Sequence, residues 1–282
     1  MPWCPDGLCS SEDSVSPRRS GYTRRPMSTF TGKSVIVTGA TSGIGRAAAL
    51  GFAARGARVL LVGRSASALD EVAAAGRASG ATVLACAADI TEDGAAERIV
   101  SAAVEAFGGL DVLVNAAGVI ATGSIEATSD EKWDAMMDVN VKAPFRLMRA
   151  AVPHLKERKG SVVNVSSVNG LRAFAGVLAY NVSKSAIDHL TRCTALEMAP
   201  FGVRVNCVNP GVTITNLHRR GGMDETAYAA FLQRSKETHP LGRPGQPEEV
   251  AAMILFLASD EAAWMTGETI PVDGGRHLTC LR

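Results

Sequence analysis

Ser34-Val35-Ile36-Val37-Thr38-Gly39-Ala40-Thr41-Ser42-Gly43-Ile44-Gly45, running on through Arg46 to Arg55, is the stretch on which the fold depends. Its first five residues are β-branched or small and read as a short buried strand, and Arg46 to Arg55 resumes with helical spacing. Between them stand Gly39, Gly43 and Gly45. Glycines placed between a strand and a helix permit a tight turn, close backbone approach and packing of helix on strand. Gly39, Thr41, Ser42, Gly43, Ile44 and Gly45 therefore form a candidate phosphate cradle, with the amides of a helix N-terminus free for an anion. The spacing, G-x-x-x-G-x-G, differs from the commoner G-x-G-x-x-G of dinucleotide sites.

Outward from this turn, strand-like and helix-like segments alternate. Arg58 to Val62 reads as a second strand, ending at Gly63-Arg64. In dinucleotide folds the tip of that strand meets the adenosine ribose, where an acid suits a free 2′-hydroxyl and Arg suits a 2′-phosphate. Arg64 without an acid predicts NADP(H), with NAD(H) as the alternative. A third strand, Thr82 to Ala88, ends in Asp89-Ile90, and a helix is expected from about Glu92 to Phe107. Leu110 to Val114 reads as a fourth strand, followed by Asn115-Ala116-Ala117-Gly118, small residues that let the backbone come close to a flat ligand. Strands and helices alternating in this way predict an α/β fold, a Rossmann-type doubly wound parallel sheet of about seven strands with helices on both faces. Ligands of such sheets bind at the carboxyl ends of the strands, where every motif so far lies.

A second organising stretch is Ser161 to Lys184, SVVNVSSVNGLRAFAGVLAYNVSK. An apolar run through Val165 breaks at Ser166 to Gly170, and helical spacing resumes from about Ala179. Tyr180 and Lys184 lie four apart and share a helix face, so the ammonium stands beside the phenol. A positive neighbour is expected to lower the phenol from its ordinary pKa of about 10, making Tyr180 an acid or base. Ser167, at the end of the strand, is placed to hydrogen-bond the same substrate oxygen.

Composition narrows the field. The 282 residues are 46% hydrophobic but only 5% aromatic, which suits helices packed closely on a parallel sheet. With 29 Lys and Arg against 28 Asp and Glu, nothing suggests nucleic acid or an anionic membrane surface as partner. The six cysteines are scattered without a C-x-x-C pair, predicting free thiols and no metal site. No apolar run is long enough to span a membrane, and no signal peptide is apparent, so a cytoplasmic protein is expected. Residues 1–28 are rich in Pro, Ser and Arg and predict a disordered tail, with a mitochondrial import signal as the second reading. Residues 29–282 form the catalytic domain on this view, with a lid at about 216–246.

The chain resembles the short-chain dehydrogenase/reductase family over nearly all of residues 30 to 275. The family's T-G-x-x-x-G-x-G is Thr38 to Gly45, its N-N-A-G is Asn115 to Gly118 with Ala116 in second place, and its Y-x-x-x-K is Tyr180 to Lys184. Ser167 stands thirteen residues before the tyrosine, Asn140 matches the family's helix-borne Asn, and Pro210-Gly211 its P-G turn, with Thr213 and Thr215 following. The resemblance implies a catalytic tetrad of Asn140, Ser167, Tyr180 and Lys184, in which Tyr180 exchanges a proton with the carbonyl or alcohol oxygen. It further implies that Lys184 holds the nicotinamide ribose and that Asn140 anchors a water leading protons to solvent. Asp89 and Ile90 would border the adenine, Asn115 and Gly118 the ribose side, and Thr213 and Thr215 the carboxamide and phosphates. His218, Arg219 and Arg220 are expected to be solvated charges on the lid, with contact to an acidic group on a substrate as the second reading, while Phe174, Val177 and Leu178 are candidates for an apolar pocket wall. The last stretch, Ser259 to Gly275, is similar to that of members reducing 3-oxoacyl thioesters, and implies a homotetramer built through the Tyr180 helix and the last strand.

The expected activity is hydride transfer between NADP(H) and a small-molecule ketone or secondary alcohol. An NAD-dependent alcohol dehydrogenase keeps the same chemistry. A catalytically silent nucleotide-binding scaffold is the reading from another class, and intact Ser167, Tyr180 and Lys184 argue against it.

Overall fold

The computed structural model describes residues 29–279; the expected tail, Cys4, Cys9 and Cys280 lie outside the described residues. β1 (Ser34–Thr38) is buried along its whole length, and its alternate side chains serve two different cores. Val35 and Val37 pack towards α1 (Gly43–Ala53), α2 (Ala66–Arg77) and α10 (Pro247–Ala258), with Phe52, Leu69 and Ile254. Ile36 points the other way, towards α3 (Ala95–Phe107), α5 (Ala143–Arg158) and α7 (Leu178–Met198), meeting Ile99, Leu147 and Ala195. A strand covered on both faces must be apolar without alternation, which is why Ser34 to Thr38 reads as a continuous run.

The remaining strands are β2 (Arg58–Gly63), β3 (Val83–Ala87), β4 (Val112–Asn115), β5 (Ser161–Val165), β6 (Arg204–Pro210) and β7 (Thr269–Val272). They make one sheet of seven strands in the order β3-β2-β1-β4-β5-β6-β7, and every pairing is parallel. The expected doubly wound Rossmann-type sheet is what forms. Strand order reverses between β1 and β4, so the connections leaving their carboxyl ends part to opposite faces and open a crevice there.

Four details refine this arrangement. α4 (Asp130–Met137) passes into α5 through a π-helical turn, Asp138–Lys142, which carries Asn140. The break after β5 is a short helix, α6 (Val168–Leu171), capped by Ser167. The segment expected to be a lid holds α8 (Leu217–Arg220) and α9 (Glu225–Thr238). α3 starts later than its sequence suggests: Gly94 takes the left-handed conformation, φ 73°, and the Ala95 amide donates to the Glu92 carbonyl as a turn.

Phe52 is fully buried and meets Phe30 edge to face, ring centroids 4.8 Å apart. Truncating such a residue typically costs about 3–5 kcal/mol, so this contact anchors α1 and, through it, the glycine turn. Among the described residues, no helix is long and apolar enough to cross a membrane, and no group of His, Cys, Asp or Glu is arranged to hold a metal ion.

Candidate active site

The glycine turn is built by close backbone contacts. Gly39 has φ 66°, and a Cβ there would lie 2.8 Å from the Ala117 Cα, so β1 and β4 can approach only with glycine in place. A Cβ on Gly45 would run into the Gly39 carbonyl oxygen, which seats the first turn of α1 directly on the strand end. Thr215 is drawn to the same place, its Cγ2 standing 2.9 Å from where a Gly43 Cβ would be. The Ser42 side chain makes no capping hydrogen bond and no acid occupies the first turn of α1, so the positive end of the helix has no anionic residue of its own there. Thr38, which sequence reading left as a motif letter, accepts hydrogen bonds at Oγ1 from Ala116 N (3.1 Å) and Ala117 N (3.2 Å) and pins the Asn115 to Gly118 segment beside the turn.

At the carboxyl ends of β2 and β3, Arg64 is exposed just past β2, and Ile90 is buried after β3. Asp89 Oδ1 accepts from Thr91 N at 2.9 Å and Thr91 Oγ1 at 2.7 Å. Those bonds hold its carboxyl below the usual range, and the nearby Arg64 charge adds to the effect. Arg64 and Asp89 therefore share one edge of the crevice.

Tyr180 and Lys184 lie one turn apart on α7 with 5% exposure each, and Ser167 with 7% caps α6 opposite them, its Oγ accepting from Asn169 N at 3.2 Å. Lys184 Nζ donates to Val165 O at 2.9 Å and stands 5.6 Å from the Tyr180 ring centroid. Its ammonium also lies 3.5 Å from where a Cβ on Gly118 would sit, and Asn140 Oδ1 lies 3.4 Å from the same point. Asn140, Lys184 and the β4 loop thus converge, with Ser167 hydrogen-bonded to Tyr180 beside them.

Electrostatics here correct one expectation. Burial pushes the Tyr180 phenol up to about 12, and the hydrogen bond with Ser167 only partly offsets it. Burial brings the Lys184 ammonium down to about 8. The phenol is raised rather than lowered because desolvation of a buried phenolate outweighs the opposing influence on it, the Ser167 hydrogen bond. Tyr180 is therefore a protonated acid, with Lys184 close to its titration range at neutral pH.

Asn140 is 1% exposed, and its side chain is fully occupied: it bonds both the N–H and the carbonyl of Val119 and donates to Ser183 Oγ at 3.0 Å. In this arrangement the side chain clamps the loop after β4. Asn115 donates to Asn164 Oδ1 at 2.9 Å, and Asn164 donates to Thr191 Oγ1 at 2.9 Å, tying β4 and β5 to α7. Asn164 sits amid valines in β5, and a polar residue inside a buried strand is the signal that would have drawn attention to it.

Past β6, a Cβ on Gly211 would sit 2.9 Å from the Asp273 Cα, so the Pro210-Gly211 turn packs on the end of β7. Thr213 Oγ1 donates to Gly211 O at 3.2 Å. One of the three lid residues departs from expectation. His218 is not a solvated charge: it packs on Phe231 with rings 4.5 Å apart, and its buried Nδ1 has no hydrogen-bond partner. Desolvation lowers its pKa. Arg219 pairs with Glu225 and lies 3.9 Å from the Tyr228 ring centroid, while Arg220 is exposed. Phe174 is half-buried, with the Arg276 guanidinium 4.9 Å from its ring centroid.

Comparison with known proteins agrees with this architecture. The family model described as enoyl-(acyl carrier protein) reductase matches residues 39–277. Human dehydrogenase/reductase SDR family member 4 is 39% identical over 95% of this chain and 96% of its own length. The 3-oxoacyl-[acyl-carrier-protein] reductase FabG of Thermotoga maritima is 39% identical over 86% of this chain and 97% of its own. A short-chain dehydrogenase/reductase from Caenorhabditis elegans, solved with cofactor, superposes with a TM-score of 0.84 at 35% identity, covering 89% of this chain and 97% of that one. A glycine turn at the switch of a seven-stranded parallel sheet, and these relatives along nearly its whole described length, assign the chain to the short-chain dehydrogenase/reductase family, NAD(P)-dependent oxidoreductases acting on CH–OH groups.

Proposed function

We propose that this protein reduces a ketone on a small or medium apolar substrate to a secondary alcohol, or runs the reverse reaction, with NADP(H) as redox partner. The observation that carries the reading is the buried convergence of Ser167, Tyr180 and Lys184, with the phenol held protonated by its surroundings. A protonated phenol hydrogen-bonded to a serine hydroxyl is the arrangement required of a general acid that must meet a carbonyl oxygen.

The residues fit a nicotinamide dinucleotide. Gly39 and Gly45 stand where a Cβ would collide with backbone, so the turn presents bare backbone to a pyrophosphate, and Thr41, Ser42, Gly43 and Ile44 complete its rim. Arg64 is available to a 2′-phosphate, Asp89 and Ile90 flank the adenine position, and Asn115, Ala116 and Gly118 border the ribose. Pro210, Gly211, Thr213 and Thr215 line the nicotinamide side. When bound, that group supplies or accepts the hydride. The chain's own residues do the rest. Ser167 orients the carbonyl oxygen, Tyr180 delivers a proton to it as the carbon is reduced, and Lys184 holds the ribose and supports the phenolate that remains. Asn140 keeps the β4 loop in place beneath them.

Exposed apolar side chains on α7, Val182 at 40% and Leu196 at 80%, support a homotetramer built through this helix and β7. Light scattering that gives a monomer at working concentration removes that part of the reading.

The test of function is turnover of ethyl 3-oxobutanoate and cyclohexanone with NADPH, followed by loss of cofactor absorbance, in the wild type and Tyr180→Phe. Turnover that falls by about 10²-fold or more in the variant, with NADPH binding retained, supports the assignment. A variant that keeps most of its activity removes Tyr180 from the mechanism.

A further inference from the structure

One turn beyond Lys184 on α7 lies a third polar residue on the same face, Asp188, only 2% exposed. A buried carboxylate is costly unless it is well supplied with donors. Asn209 Nδ2 donates to both its oxygens at 3.0 Å and also to the carbonyl of Ser167 at 3.0 Å. Cys207 Sγ donates to Asp188 Oδ1 at 3.5 Å. Gly170 packs on the same group: a Cβ there would run into Asp188 Oδ2 and lie 2.9 Å from Ser166 Oγ. Ser166 in turn donates to the backbone carbonyl of Lys184 at 3.0 Å. One carboxylate thus joins α7, the end of β6 and the loop that carries Ser167.

We propose that Asp188 is a positioning residue for Lys184 and Ser167, a buried counter-charge that acts through both without itself meeting cofactor or substrate. The inference rests on the roles given above to Lys184 and Ser167 and extends them to a residue outside the tetrad. The charged and titratable groups facing Asp188 are Lys184 and Arg192 on its own helix and Cys207 on β6. Burial holds the Cys207 thiol far above its ordinary range, so at neutral pH it is a neutral S–H donor and the negative charge near Lys184 belongs to Asp188. Burial also raises Asp188, but its hydrogen bonds with Ser166, Asn209 and Cys207 and the Arg192 charge pull it back. Burial lowers Lys184, and negative charge at Cys207 and at Asp188 opposes this; with the thiol protonated, the Asp188 charge is the one that acts at neutral pH. Asp188 therefore keeps the ammonium protonated in the range where it must hold a ribose, while Asn209 transmits its position to the Ser167 backbone.

The experiment is a fluorescence titration with NADPH from about pH 7 to about pH 10, a range that brackets the lowered Lys184 value of about 8, in the wild type, Lys184→Met, Asp188→Asn and Asn209→Ser. The wild type is expected to lose NADPH affinity as pH passes about 8, and Lys184→Met to abolish that pH dependence. Asp188→Asn preserves shape and removes the charge. Its affinity should fall at a pH about one unit lower, the scale of one unit charge at an effective dielectric of about 20. Asn209→Ser should move the fall in the same direction by a smaller step, and it serves if Asp188→Asn does not fold. A purely structural Asp188 would weaken NADPH equally at every pH and leave the midpoint in place, which overturns the proposal. A wild type without any pH-dependent fall that Lys184→Met removes would instead defeat the assignment of Lys184 to the cofactor, and the role of Asp188 with it.

Discussion

The side chain of Asn140 holds the backbone of Val119 by both its polar groups, accepting at Oδ1 from the Val119 amide at 2.9 Å and donating from Nδ2 to the Val119 carbonyl at 3.0 Å. It does so from a π-helical turn, where the widened spiral sets the residue off the regular helix face and towards the β4 loop. Asn140→Ala leaves those half-buried backbone groups without their partners, at about 0.5–1.5 kcal/mol for each bond lost. Urea unfolding should show that loss, and NADPH affinity should fall with it, because Gly118 lies on the released loop. An unchanged unfolding midpoint would mean that water replaces the clamp at no cost.

Arg64→Ala should weaken NADPH binding by about tenfold to a hundredfold, the usual worth of a charge-assisted hydrogen bond, and leave NADH binding unaffected. Fluorescence titration with both cofactors checks this. Equal weakening of the two would assign Arg64 to the adenine rather than to a 2′-phosphate.

Gly45→Ala brings a methyl group against the Gly39 carbonyl oxygen and within 3.0 Å of the Thr38 oxygen. Both are backbone atoms at the end of a central strand, so relief requires α1 to move. The variant should lose about 1–3 kcal/mol of stability and most of its cofactor affinity. Thermal unfolding and NADPH titration separate the two effects, and a variant that binds normally would show that the turn is not the pyrophosphate site.

Lys184 imposes a stability profile of known sign. Its ammonium titrates near 8 in the folded protein, below the ordinary lysine value of 10.5. Below about 8 both states hold the proton, and burial of the cation costs its full amount. Between about 8 and 10.5 the folded state has released a proton that the unfolded chain retains, so stability rises with pH, by up to about 3 kcal/mol. Tyr180 acts oppositely at higher pH: its raised phenol makes the unfolded chain ionise first above about 10. Urea unfolding at pH 8 and at pH 10 should therefore show a rise in the wild type that Lys184→Met lacks. Parallel curves for the two proteins would place the lysine's titration elsewhere.

What was legible in the sequence was local. Ser34 to Gly45 announced strand, turn and helix because β-branched residues and glycines restrict or free the backbone over a few residues, whatever surrounds them. The four-residue spacing of Tyr180 and Lys184 likewise placed them on one face of a helix, and the alternation of such segments implied the parallel sheet that forms. Those inferences need only chain geometry, which sequence by itself determines.

What the tertiary structure decided were properties that depend on how much water is excluded and on contacts between distant segments. The phenol of Tyr180 moves up rather than down because the elements closing over α7 desolvate it more strongly than the Ser167 hydrogen bond stabilises its anion. His218 packs half-buried against Phe231, its Nδ1 shut off from water, although its neighbours Arg219 and Arg220 suggested a solvated lid. Thr38, Asn164 and Asp188 acquire their roles from partners many residues away, at Ala116, Asn115 and Asn209. No periodicity encodes such pairings; they exist only once β1, β4, β5, β6 and α7 are brought side by side and water has left the space between them.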